Sequence, residues 1–414
     1  MDTTPYFSIC IPTIGRLDLI KIALESLKRQ TDQDFEVIIG DSHRNTELEH
    51  FVQELHNPAI RVVHPPPKAG AFSPWDHPPR FARGRYVMWL DDDNALLPDA
   101  LALFRKIAER TQADIITANH LYFYDAKHPR RELRHSIGIV PFTGKEYAIN
   151  LENALRQTFS FSRSSLGATP RFHFSATIVS RAVVQKAYGR LGHVLFPDLP
   201  HMHSLTPILF SFAHTCVFLD RPVAIIGRLS VSMSQSWSTA ARKRFKDHTT
   251  RGLSPLAAYT KINARYESYL RVRAALPEVF KDIPIDEVQF AEIHLRELSV
   301  LDAPLLQTTN YWIEFFHFIR RFSEPTYSRL HKTAFRYALR APLVYISRRV
   351  RLHYLRRVFV ALQHHATHEA IQSWNREFTL PLPRNKKYQT TAEVAQDAKV
   401  LLRELTGHTI ADAQ

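Results

Sequence analysis

Residues 86–101, YVMWLDDDNALLPDAL, carry an apolar run straight into three consecutive aspartates and then into a helix-like segment. Adjacent carboxylates repel one another, so Asp91, Asp92 and Asp93 require solvation or a positive partner. The run before them reads as a buried strand, and Pro98 suits the first turn of a helix over PDALALFRKIAER. The same alternation recurs around it. YFSICI, FEVIIG, IRVVH and DIITAN read as strands, and TELEHFVQELH as a helix. RLDLIKIALESLKRQ reads as another, with Leu17, Ile20, Ala23, Leu24 and Leu27 on one face. Strands alternating with helices imply right-handed crossovers and an α/β, Rossmann-like, mostly parallel sheet. Ligands of such sheets bind beyond the carboxyl ends of strands, where Asp41 and the aspartate triplet both fall.

A chain of 414 residues exceeds one typical core and suggests two domains. Its 45% hydrophobic and 23% charged content argue against disorder. The net charge of +14 suits an anionic partner, whether nucleic acid, a phospholipid surface or a phosphorylated substrate, without choosing among them. Cys10 and Cys216 are the only cysteines, which provides no disulfide framework and fits a reducing compartment. The opening MDTTPYFSICIPTIG has no basic stretch followed by a long apolar one, so no signal peptide is expected. No run of about 18 apolar residues occurs, so no membrane-spanning helix is expected either. The expectation is a soluble or peripherally attached protein.

The pattern divides off an α/β region over 1–235, regular over 1–120 and less regular over 121–235. An all-helical C-terminal domain over 236–414 follows, with no convincing strand. In 121–235 FHFSATIVS, CVFLD and VAIIG read as strands, and RAVVQKAYGR as a helix. In the C-terminal region nine Lys or Arg and no acidic residue occur between Glu324 and Glu369. Leu343, Ile346, Val350, Leu355, Val358 and Leu362 recur there at helical spacing, which predicts a basic amphipathic helix kinked or started near Pro342.

Carboxylates this close can relieve their repulsion on a divalent cation, and Mg²⁺ typically takes one or two carboxylates plus substrate phosphate oxygens. A triplet alone fits a solvated, helix-capping turn about as well. The surrounding phrases decide the matter. FSICIPTIGRLDLIKIALESLKRQTDQDFEVIIGDS followed by ARGRYVMWLDDDNALLPDAL resembles the N-terminal half of family-two, GT-A-fold glycosyltransferases over about residues 6–120. The resemblance lies in the strand ending in Pro-Thr, the phrase Q-T-x-x-x-F-E-V-I-I, an Asp after the second strand, and A-x-G-x-Y leading into the DXD strand.

That resemblance implies roles, with 1–235 as the catalytic domain, about 1–120 as its nucleotide-binding half and about 121–235 as its acceptor half. Pro12 and Thr13 would line the nucleotide pocket, Asp41 would hydrogen-bond the base, usually uracil, and Asp91 or Asp92 would face the ribose. Asp93 would coordinate Mn²⁺ or Mg²⁺ on the diphosphate. Relatives often carry a basic residue before the DXD strand; here PPPKAGAFSPWDHPPRFARGRY replaces that phrase, and Lys68 or Arg80 is the candidate cation. Pro78-Pro79 should interrupt the helix in that segment, and Trp75 is expected to anchor the loop in the core or to stack on a base. An inverting transfer needs a carboxylate base, for which Asp198 in GHVLFPDLPHMH is the candidate; helix capping is its ordinary alternative. Asp220 is set aside as paired to Arg221, and Asp99 as early-helix charge. The His173, His201, His203 and His214 spacing fits no zinc site, although His201 or His203 could touch the donor. GRLSVSMSQSW falls where family members have a closing loop, with Trp237 as its residue of interest.

The expectation is therefore a metal-dependent, inverting glycosyltransferase. It would move a sugar from a UDP-sugar to a glycan or lipid-linked glycan acceptor in cell-surface polysaccharide synthesis, on the cytoplasmic side of a membrane. The basic helix is read equally as packing on the protein or as lying on anionic lipid. Two alternatives stand beside this: a catalytically silent nucleotide-sugar-binding protein of the same fold, and a nucleic-acid-binding protein acting through its basic tail. The last ranks lowest, because the arginines are not interleaved with stacking aromatics.

Overall fold

β1 (Phe7–Thr13) is buried along its whole length, as suits a mainly apolar seven-residue run flanked by strands on both sides. It lies between β2 (Phe35–Asp41) and β4 (Tyr86–Trp89), parallel to both, and β3 (Ile60–Val63) continues the parallel set beyond β2. The structure is a computed structural model and describes residues 4–67, 69–70, 72–128, 131–139, 142–161, 172–197, 202–230, 253–258, 260–299, 305–349, 378–381 and 390–397. Helix α1 (Leu17–Lys28) packs Ile20, Ala23 and Leu27 against the sheet, with Leu17 and Leu24 at the margin. Helices α2 (Thr46–Glu54) and α4 (Ala100–Thr111) complete the crossovers; between them α3 (Ser73–Asp76) is a single turn that gives way to a 3₁₀ turn over Pro78–Phe81, as the two prolines dictate.

The expected parallel arrangement is unbroken over β3-β2-β1-β4. Beyond β4 the sheet is mixed, because β9 (Thr177–Ser180) runs antiparallel between β4 and β6 (Ile115–Tyr124). CVFLD and VAIIG merge into one long strand, β10 (Cys216–Arg228), parallel to β6 with a register break between Leu219 and Ala224. β5 (Ala95–Leu96) and β8 (Glu146–Ala148) pair with β10 from other directions, and β7 (Ser136–Ile139) lies outside β6. Since β1, β2, β4, β6 and β10 all point the same way, their carboxyl ends share one rim. The register places Thr13 opposite Asp41 there.

The chain divides into two compact units. One comprises Met1–Ala154, Ala168–Ala241 and Glu377–Gln414; the other comprises Leu155–Gly167 and Arg242–Arg376. The second unit is helical, with helices at Lys261–Ala275, Glu287–Ser299, Leu305–Ile319 and Thr326–Arg349. Its core is aromatic: Phe159 stacks on Tyr269 and Phe280, and Tyr266 stacks on Phe290 at 4.1 Å. Helix Thr326–Arg349 runs through Pro342, so the basic helix does not begin at that proline; its continuation from residue 350 lies outside the described residues. Among the described residues one strand follows the helical segment. β11 (Phe378–Pro381) adds antiparallel to β7 and so belongs to the N-terminal sheet, which the sequence pattern did not indicate.

Candidate active site

Strand β4 ends at Trp89, and the turn after Leu90 delivers the three aspartates to the rim. Each meets a different neighbourhood. Asp92 is 1% exposed and faces the loop after β1, where Thr13 Oγ1 donates to its Oδ2 at 2.8 Å. Arg16 closes on the same carboxylate, through Nε at 3.0 Å to Oδ2 and through Nη2 to Oδ1. Burial nevertheless pushes the Asp92 carboxyl up to about 6, against the pull of Arg16.

Asp91 is half-buried and accepts from the indole Nε1 of Trp75 at 2.9 Å. Its carboxyl is pushed up to about 7, first by burial and then by the Asp93 charge. Trp75 itself is 6% exposed, and its carbonyl accepts from Trp89 Nε1, so the indole is a buried anchor that also touches the triplet. Behind the turn Ser175 Oγ accepts from both the Asp91 backbone N–H and Asn94 Nδ2. Asn94 Oδ1 in turn accepts from Gly227 N at 2.9 Å, which ties the aspartate turn to β10.

Asp41 is fully buried, and its carboxylate accepts from the backbone N–H groups of His43 at 2.9 Å and Asn45 at 2.6 Å. Asn45 caps α2 and donates from Nδ2 to the Gly15 carbonyl, stitching the loop after β2 to the loop after β1. Pro12 is buried opposite Gly40 in the register. Pro12, Thr13, Asp41 and Asp91–Asp93 are thus brought together along one rim. Lys68 and Asp198 lie outside the described residues, as do His201 and Trp237. Next to Asp198, the Pro197 carbonyl accepts from Phe72 N at 3.0 Å.

Arg80 is engaged elsewhere: it bonds Asp76 and the Gly192 carbonyl and lies over the Tyr188 ring. The expected Asp220–Arg221 pairing is replaced by a different one. Arg221 pairs with Asp99 at 2.8 Å, whereas Asp220 accepts from Thr143 and Asn119, because the strand alternation sends adjacent side chains to opposite faces.

Arg16, Asn94, Ser175 and Gly227 were not singled out by sequence reasoning. Arg16, three residues past a strand end, was the one with a local signal. Arg228, beside Gly227, is half-buried with its guanidinium 4.8 Å from the Tyr122 ring centre. His173 is half-buried near it and pushed down to about 3, first by desolvation and then by the Arg228 charge, so it is a neutral imidazole accepting from Ser175 N.

Among the described residues no group of three or more His, Cys, Asp or Glu side chains is arranged to enclose a metal ion. The donor set suits instead a cation held by few protein oxygens and completed by phosphate oxygens, as is usual for Mg²⁺. Three carboxylates in sequence, two of them with raised affinity for protons, make an electrostatic site that a cation would satisfy.

An open α/β sheet with a carboxylate triplet at the rim of its parallel strands is the architecture of a nucleotide-binding, GT-A-type domain. A solved structure of TarS residues 1–349 from S. aureus, in complex with UDP-GlcNAc, shares this fold; it is 16% identical, with a TM-score of 0.52 over 83% of this chain and 91% of that one. Residues 8–187 match the model described as glycosyl transferase family 2. A putative colanic acid biosynthesis glycosyl transferase, WcaA of Escherichia coli K12, is 31% identical over 127 residues, 30% of this chain and 44% of that protein. A Campylobacter jejuni GalNAc(5)-diNAcBac-PP-undecaprenol beta-1,3-glucosyltransferase is 28% identical over 114 residues, 27% and 37% of the respective chains. The matches span less than half the length of these relatives.

Proposed function

We propose that the protein is an inverting glycosyltransferase that moves a sugar from a UDP-sugar to a glycan or lipid-linked glycan acceptor. The observation that carries this reading is the aspartate turn. Two of its carboxylates are held by Arg16, Thr13 and Trp75, and all three are gathered at the rim that Asp41 and Pro12 share. Asp41 takes the base: two of the roughly four lone-pair directions of a carboxylate fix its own loop, which leaves acceptor capacity for a nucleobase N–H. Pro12 and Thr13 line the nucleotide, Lys68 supplies positive charge toward the diphosphate, and Asp91, the more exposed of the first two aspartates, faces the ribose. Asp92 acts mainly by fixing Arg16 and Thr13.

Asp93 holds Mn²⁺ or Mg²⁺, which when bound neutralises charge on the departing diphosphate. Asp198 accepts the proton of the acceptor hydroxyl. The hydroxyl oxygen bonds to the anomeric carbon as the carbon–oxygen bond to the diphosphate breaks, and UDP departs with that bond's electron pair. The names of the relatives support a saccharide or undecaprenol-linked acceptor, and the bound UDP-GlcNAc of the TarS structure supports a UDP-sugar. The corresponding place of action is the cytoplasmic face of a membrane, with the basic helix on anionic lipid; no helix among the described residues is long and apolar enough to cross one.

A thermal-shift series with UDP, UDP-sugars and Mn²⁺ tests this. UDP should stabilise the protein more strongly with Mn²⁺ than without, and Asp93→Ala should abolish the difference. Asp198→Asn should keep donor binding and lose transfer. Stabilisation by UDP that ignores both the metal and Asp93→Ala would overturn the metal assignment, and transfer by Asp198→Asn would overturn the base.

A further inference from the structure

The C-terminal segment returns to the aspartate turn. β11 adds to the outer edge of β7, and helical residues 391–397 follow shortly after. Their start is a reciprocal capping arrangement: Glu393 N donates to Thr390 Oγ1, and Thr390 N donates to the Glu393 carboxylate. Because Thr390 does the capping, the hydroxyl of Thr391 is available for another partner. It is fully buried, and it donates at 3.2 Å to the backbone carbonyl of Asp93, 298 residues away in sequence.

The same carbonyl is confined from the other side. A Cβ on Gly227 would lie 2.3 Å from the Asp93 carbonyl oxygen, so β10 approaches it as closely as a residue without a side chain allows. Val394 and Ala395 are buried in one apolar cluster with Ala95, Leu97, Ile225 and Leu229, the residues that flank the aspartate turn and Gly227. Arg29 of α1 bonds Gln396 at the far end of the segment.

We infer that β11 and residues 390–397 belong to the donor site as a strap, and that Thr391 is a positioning residue that fixes the Asp93 backbone and thereby aims its carboxylate. The inference rests on the reading of Asp93 as the metal-holding residue. It adds that the family-matched residues 8–187 do not complete the site by themselves: residues that follow the helical segment in sequence complete it. The role is orientation alone. Groups that hold a ligating side chain in place commonly change metal affinity by 10–100-fold when removed.

The test uses full-length protein and calorimetric titration of UDP with and without Mn²⁺. Thr391→Val keeps the shape and removes the donor, Thr391→Ala guards against a steric artefact, and Thr391→Ser restores the hydroxyl. The expected result is an approximately tenfold loss of Mn²⁺-dependent UDP affinity in the Val and Ala variants, unchanged metal-free UDP affinity, and recovery in Thr391→Ser. Equal losses with and without Mn²⁺, no loss, or no recovery with serine would each overturn the inference. Asp93→Asn, titrated alongside, separates the two levels. If it abolishes the Mn²⁺ dependence while Thr391→Val leaves it intact, only the strap fails; if it leaves the Mn²⁺ dependence intact, the metal reading fails and the strap with it.

Discussion

Arg16 and Asp92 form a two-point ion pair between the loop after β1 and the turn after β4, and Thr13 Oγ1 completes the enclosure of the carboxylate. This pair supplies the positive partner that an aspartate triplet requires. A guanidinium fork aligned on a carboxylate also fixes geometry, so it sets the separation of the two loops as well as their charge.

Arg16→Met should therefore destabilise the protein by about 3 kcal/mol at pH 8, because a buried carboxylate loses its counter-charge. The effect should shrink near pH 6. Burial holds the Asp92 carboxyl raised at about 6, so its contribution is fully present below its ordinary pKa and is lost as pH rises through the folded value. Without Arg16 that folded value rises further, and at pH 6 the carboxyl meets the loss by taking a proton. Urea denaturation at pH 6 and pH 8 measures this; equal losses at both would mean that the pair is replaced by water or another cation.

Trp75→Phe keeps the buried ring and removes one hydrogen bond, that of Nε1–H to Asp91. The bond pulls the Asp91 pKa down, so its loss should move the carboxyl above about 7 and leave it mostly protonated at neutral pH. If Asp91 faces the ribose as a carboxylate, KM for the donor should rise roughly tenfold at pH 7 and recover toward pH 8.5. A KM that is raised equally at both values would place the defect in packing.

The main strands of the first 120 residues were legible because each is bounded by its own punctuation: Pro-Thr at the end of β1, Gly-Asp at the end of β2, the aspartates after β4. The rim position of Asp41 and Asp91–Asp93 followed directly. What was not legible is non-local. Ser175, Gly227 and Thr391 have ordinary sequence surroundings, and they matter only because β9, β10 and the C-terminal segment converge on Asn94 and the Asp93 carbonyl. The mixed sheet was hidden for the same reason: TIVS has the same apolar pattern whether it pairs parallel or antiparallel.

Two glycine substitutions separate fold from site. Gly84→Ala would place a Cβ 2.6 Å from backbone atoms of Phe7 and Ser8, far from the rim, and should cost about 1–3 kcal/mol while the folded protein still binds UDP with Mn²⁺. Gly227→Ala should carry a similar stability cost and also displace the Asp93 carbonyl. Its expected signature is loss of Mn²⁺-dependent UDP affinity in protein that remains folded. Calorimetry on both variants decides it; full metal-dependent binding by Gly227→Ala would show that the turn can move without consequence.

Acid should weaken the helical unit through His294. This side chain is buried between Phe290 and Phe315, bonds Thr260 Oγ1 through Nδ1 at 3.0 Å, and is pushed down to about 3 by burial. The nearby Glu297, likewise bonded toward Thr260, is raised by its own burial and offers no fixed counter-charge at low pH. A depressed histidine contributes stability that is full above its unfolded pKa near 6.5 and declines as pH falls toward the folded value, because only the unfolded chain takes up the proton. Between pH 7 and pH 5 the loss is about 2 kcal/mol. His294→Phe should remove that part of the pH dependence. The ring is accommodated by an aromatic core, and Thr260 Oγ1 keeps the Asn263 N–H as a partner. Since the two units need not unfold together, hydrogen exchange of residues 261–275 and 287–299 at pH 7 and pH 5 is the appropriate measure, corrected for intrinsic rates. Opening free energies in the wild type should fall by about 2 kcal/mol over that interval, and those of His294→Phe should stay nearly level. An unchanged slope in the variant would assign acid sensitivity of this unit to another group.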